Sequence, residues 1–242
     1  MNQPAFPKRL GPGLERLRSV PSIPYIAPFL AFIASLGALR LLNVPDLPAQ
    51  LVLIGIPTLV LLAVSRQALQ STDSKLSRAE WIGSLSLGGA VFAIWIGPDL
   101  LVPGYRQLWP FNNPLVATTQ ATLSEASRSD TLTLALRFVR AAVVVPVVEE
   151  LFWRAWLMRW VIEPDFRSVP LGAYSARAFW AVAILFATEH GPYWDVGLVA
   201  GILYNWWMVR TRSVWALISA HAMTNACLSA YVIAAHRWEY WS

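Results

Sequence analysis

Apolar runs at 23–42, 49–65, 80–102, 131–162, 177–194, 196–210 and 213–235 take up well over half of this chain. Stretches of about 17–25 apolar residues have the length of a membrane crossing. In hydrocarbon every backbone N–H and C=O needs a partner within the protein, so such runs become helices. Composition agrees: 56% of the 242 residues are hydrophobic and 14% charged, against about 45–50% and about 25% in soluble domains. Mean hydropathy is +0.48. The expected fold is all-α, a polytopic transmembrane helical bundle of about seven or eight helices, with the lipid bilayer as its solvent. Thirteen Trp suit that setting, because amphipathic rings collect at membrane interfaces and fill gaps between helices.

Charge is distributed as topology requires. The isoelectric point near 9.7 does not indicate nucleic acid, since the basic residues are scattered over tail and loops rather than gathered in a stripe with aromatics. Residues 1–20 carry Lys8, Arg9, Arg16 and Arg18 without the small-residue cleavage pattern of a signal peptide, so a basic cytoplasmic tail is expected there. The loop 67–80, flanked by Arg66 and containing Lys75 and Arg78, should be cytoplasmic as well. The long aromatic loop after the third run should lie outside, with room for an interfacial helix or a re-entrant turn. Residues 21–130 then form the N-terminal helices and long loop, 131–235 a second helical core, and 236–242, with His236, an interfacial C-terminal tail. Cys227 is the only cysteine; no intrachain disulfide can form, and its apolar surroundings make it a packing residue rather than a nucleophile.

One run breaks the apolar pattern in a telling way. VVVPVVEELFWRAW places Glu149, Glu150 and Arg154 where lipid penalises ions, and ionisable groups at such depth mark function. His190 in AILFATEHG and His221 with Asn225 in ALISAHAMTNAC are further polar groups in apolar runs. At 1.5 Å rise per residue, Glu149 lies about 15 Å from Arg159, His190 about 20 Å from Arg177, and His221 and Asn225 about 14 and 20 Å from Arg212. All fall near the middle of a ~30 Å core. The intervals Phe186–His190, His221–Asn225 and Glu150–Arg154 are each of the i,i+4 type that shares a helix face. Pro146, just before the carboxylates, breaks the helical ladder and frees backbone carbonyls.

EELFWR reads as EExxxR, FATEH as FxxxH and HAMTN as HxxxN, in that order. This set resembles the CAAX prenyl endopeptidase and bacteriocin-processing (CPBP, or Abi) family of intramembrane proteases, over roughly residues 145–227. The resemblance implies that Glu149 and His190 activate a water for attack on a peptide carbonyl, and that His221 and Asn225 hold the oxyanion. Glu150 is implied as the partner of Arg154, and Phe186 as a packing residue. Glu149, Glu150, His190, His221 and Asn225 are thus the candidate catalytic residues, with Arg154 and Phe186 supporting. Glu189 departs from the common pattern by setting an acid beside His190.

Amide hydrolysis in lipid needs a base, a held water and donors aimed at the developing oxyanion, and these residue types supply all three. No cofactor is favoured. The rival is a zinc site built from Glu149, His190 and His221, a known ligand set with water at the fourth position; against it, the chain lacks HExxH and Asn is a poor zinc ligand. A scaffold or transporter is the second class, but no internal repeat of the transporter kind is visible. The expected substrate is a membrane-anchored protein or peptide cut near its C-terminus, in the plasma (inner) membrane of a bacterium. Among bacterial roles that the family permits, trimming of C-terminal sorting tails, as in exosortase-type PEP-CTERM systems, is preferred over propeptide processing and bacteriocin immunity.

Overall fold

The computed structural model describes residues 19–72, 75–113, 115–116 and 122–241. Apart from residues 19–20, the basic tail expected at 1–20 lies outside them. The helices are α1 (Ile23–Leu41), α2 (Asp46–Val64), the short α3 (Arg66–Ser71), α4 (Arg78–Leu101), α5 (Thr131–Ile162), α6 (Ala176–Thr188), α7 (Trp194–Thr211) and α8 (Val214–Ala235). No strand occurs among the described residues, and the chain is an all-α helical bundle. Side-chain caps fix three starts. Ser77 and Glu80 form a reciprocal capping box at α4, Asp130 accepts from Thr133 N at α5, and Ser213 accepts from Ala216 N at α8; each satisfies a backbone donor that the helix leaves free.

Five helices, α1, α2, α4, α5 and α8, are long and apolar enough to cross a membrane. Their outward residues, such as Leu30, Leu59, Leu62, Ile82 and Leu85, are exposed and apolar, the arrangement that lipid rather than water stabilises. This is a multi-pass membrane protein. Helix α5 is the central rod: the α1–α2 hairpin packs along one side, α8 along another, and α6 against its C-terminal end. Helices α4 and α8 pack most closely. A Cβ at Gly88 would stand 2.3 Å from Ala220 O, so only glycine admits that approach.

The fifth expected run needs correction. The apolar run extends over 177–194, yet α6 stops at Thr188. Pro192 lacks an N–H and disfavours helical geometry in the residue before it, and Gly191 adopts φ +49; together they end the helix. At 13 residues, α6 is about 20 Å long, short of a ~30 Å core. It forms a hairpin with α7, and His190 sits on the turn at its tip rather than inside a helix. Arg177 donates to Val161 O at 2.5 Å, tying the start of α6 to the end of α5. Measured from that tie, Glu149 and the hairpin tip both rise about 17–18 Å, which sets them level with each other in the bundle.

The long loop, 103–130, is not a single interfacial helix where it is described. It makes short 3-10 turns at Tyr105–Gln107, Trp109–Phe111 and Ala126–Arg128 and closes over the hairpin tip. Arg106 bonds Asp99, Asp195 and the carbonyl of Pro192, while Trp194 donates to Pro110 O. The tail is also more than interfacial. Trp238–Trp241 forms a 3-10 turn with Tyr240 and Trp241 buried, and Trp241 O accepts from Thr122 and Arg137.

Candidate active site

The site grows from an irregularity in α5. Residues Arg140–Val144 and Leu151–Leu157 are π-helical, flanking the carboxylate pair; such widened turns recur at functional sites. In the first of them Val145 N bonds Arg140 O. By the same register Ala141 O would need the N–H of residue 146, which is proline and has none. The carbonyl left over accepts instead from Asn225 Nδ2 at 2.8 Å. Pro146 therefore anchors the α8 amide. Asn225 keeps a second N–H, since an amide nitrogen carries two.

Adjacent helix residues diverge by about 100°, and that separates the two glutamates. Glu150 turns into a dry interior, fully buried with Arg154. Arg154 Nη1 donates to both Glu150 oxygens at 3.1 Å, its Nε to Asn205 Oδ1 at 2.9 Å, and its guanidinium stacks 4.4 Å from the centre of Phe186. Glu150 Oε1 also meets His221 Nδ1 at 2.7 Å. A carboxylate paired to arginine is an acceptor only, so Nδ1 carries the proton and donates. The second glutamate thus holds both Arg154 and His221, a link that the motif spacing did not reveal.

Glu149 turns the other way. Its Oε2 is buried without a hydrogen-bond partner among the described residues and lies 4.0 Å from His221 Nε2. His190 Nδ1 is 2.8 Å from Phe186 O; a carbonyl only accepts, so Nδ1 bears the hydrogen and Nε2 of the neutral ring offers a lone pair. A Cβ at Gly197 would come within 3.1 Å of the His190 ring, and Trp95 packs edge-on against it at 5.1 Å. Glu149, His190, His221 and Asn225 line one inner cavity of about 170 Å³, closed by Trp95 and Trp241. Glu149 and His190 also border an outer cavity of about 500 Å³ toward α1 and α2. Phe186 is buried between Arg154 and both imidazoles.

Residues that the motifs did not mark complete the frame. Tyr204 donates to Thr224 at 2.7 Å, and Thr224 to Gly88 O at 2.9 Å. Asn205 donates to Phe179 O at 2.8 Å, joining α5, α6 and α7. Among the described residues no group of three or more His, Cys, Asp or Glu is placed to hold a metal ion. Glu189 borders the outer cavity beside Glu149.

Fold and site together define a multi-pass membrane protein with carboxylate, imidazole and amide groups gathered around a small cavity. Residues 131–227 match the family model described as type II CAAX prenyl endopeptidase, Rce1-like. The match contains all three motifs and supports an intramembrane protease of the CAAX type. Comparisons with curated proteins and with solved structures found no match.

Proposed function

We propose that the protein is a glutamate-dependent endopeptidase of the bacterial plasma membrane, with its N-terminus cytoplasmic, that cuts a membrane-anchored substrate near its C-terminus. The observation that carries this reading is the unpartnered Glu149 oxygen facing a cavity shared with His190, His221 and Asn225. A water there donates one hydrogen to Glu149 and the other to His190 Nε2. Its oxygen attacks the scissile carbonyl carbon as its proton passes to Glu149. The oxyanion is met by the second N–H of Asn225 and by His221 Nε2, which donates when both ring nitrogens carry a proton. The C–N bond then breaks, and Glu149 returns the proton to the leaving amine.

No step runs through a metal. Chelator treatment with and without added zinc checks this: the account expects undiminished cleavage, and activity lost to chelator and restored by zinc contradicts it. The function itself is tested by mapping C-terminal peptides of membrane and secreted proteins in cells lacking this protein. The expected result is one or more cleavages that vanish and return with the wild-type gene but not with Glu149→Gln. Sorting-tail processing is the preferred substrate class. If no cleavage depends on the protein, the reading fails.

A further inference from the structure

The outer cavity has a cationic wall that the hydrolytic mechanism does not use. Arg137 and Arg140, both on α5, are 7% and 8% exposed, and each has an Nε without a hydrogen-bond partner among the described residues. The Arg140 side chain makes no hydrogen bond or ion pair there, and Arg137 has Trp241, through its carbonyl and ring, with Asp46 as a more distant opposite charge. Arg40, exposed at the end of α1, borders the same space, as does Gln50, 3% exposed with an unpartnered Oε1. The carboxylates bordering this cavity are Asp46, Glu149 and Glu189; Asp46 is held by Ser124, and none forms an ion pair with these arginines among the described residues. Buried guanidinium groups without a carboxylate in contact are costly, and an anion entering the cavity would relieve that cost.

We propose that Arg140, with Arg137 and Arg40 beside it, binds the free C-terminal carboxylate of the peptide substrate. The proposal rests on the protease reading above and names the substrate group that this site takes. Geometry favours a peptide end over a lipid headgroup. The cavity runs without a break from these arginines to Glu149 and His190, so whatever the arginines hold is continuous with the reacting centre. Arg140 lies nine positions before Glu149, roughly 13 Å along the helix. An extended peptide covers about 3.3–3.6 Å per residue, which sets the carboxylate about four residues beyond the bond to be cut. A planar guanidinium also matches a carboxylate in bidentate fashion.

The test uses the full chain in nanodiscs of neutral phosphatidylcholine. N-acylated octapeptides with their last four residues randomised are offered as free acids and as C-terminal amides. Retention is read by mass spectrometry on protein carrying Glu149→Gln, so that bound peptide is not cut. Acids should be retained about tenfold or more over amides, the scale of one charge-assisted bond. Adding Arg140→Gln should bring the ratio near one, Arg140→Lys should keep part of it, and Arg40→Gln, at an exposed position that folding tolerates, should lower it by a smaller factor. A ratio near one before these changes, whether both pools or neither are held, overturns the proposal, as does a ratio that survives both Arg140→Gln and Arg40→Gln. A ratio near one combined with Arg140-dependent retention of phosphatidylglycerol would assign the arginines to lipid and overturn it equally. Failure of the protease reading is separable: cleavage by the wild-type chain that persists in Glu149→Gln defeats that reading while leaving the acid preference intact.

Discussion

At the scale of single residues, two adjacent glutamates do different work because helix geometry points them apart. Glu149 keeps a free oxygen toward the cavity, whereas Glu150 is saturated by Arg154 and His221. Loss of the Arg154 pairing means that Glu150→Gln should reduce folding yield. The His221 contact adds a second effect. A glutamine at 150 presents an amide that can meet Nδ1 in the wrong tautomer, so kcat should also fall, by about 10–100-fold, in protein that has folded and inserted. Measuring kcat and membrane level together separates the two, and an unchanged kcat would contradict the orienting role. Arg154→Met should be the more damaging change to stability. It leaves Glu150 buried with His221 alone as its partner and strips Asn205 of its donor, a loss of about 3 kcal/mol, visible as a lower thermal midpoint in detergent.

Among elements, α5 and the α6–α7 hairpin hold the geometry. Pro146 is central to α5: its missing N–H leaves Ala141 O to Asn225. Pro146→Ala would restore a backbone donor that competes for that carbonyl. Activity should drop about tenfold through misdirection of Asn225, while the thermal midpoint holds or rises. Full activity in this variant would show that the amide does not need its anchor. Much of this scale was legible beforehand, because run length and polar interruptions follow directly from what lipid forbids. The turn at His190 was legible too, in the Gly191–Pro192 pair that ends a helix, but apolar continuity on both sides masked it. Asn205 obeys the same rule that singled out Glu149, a polar group amid apolar residues, yet no motif spacing pointed to it. The π turns were not legible, since nothing in local composition distinguishes them from ordinary helix.

For the whole molecule, the site is closed by segments remote in sequence. Trp241 walls the inner cavity and binds Arg137 and Thr122, 104 and 119 positions away. Such contacts arise from tertiary packing and leave no local trace in the chain, so the tail read as an interfacial appendage. Deleting residues 236–242 should leave insertion intact and reduce cleavage by about 100-fold, the scale on which small displacements of reacting groups act. Near-normal turnover by the truncated protein would remove the tail from the site. The central claim is that Glu149 moves the proton. Its most direct test is the cleavage rate of reconstituted Glu149→Gln on a substrate identified by C-terminal mapping, with thermal stability measured on the same sample. The account predicts a rate lower by about 1,000-fold or more at unchanged stability; a rate within a few-fold of wild type would contradict it.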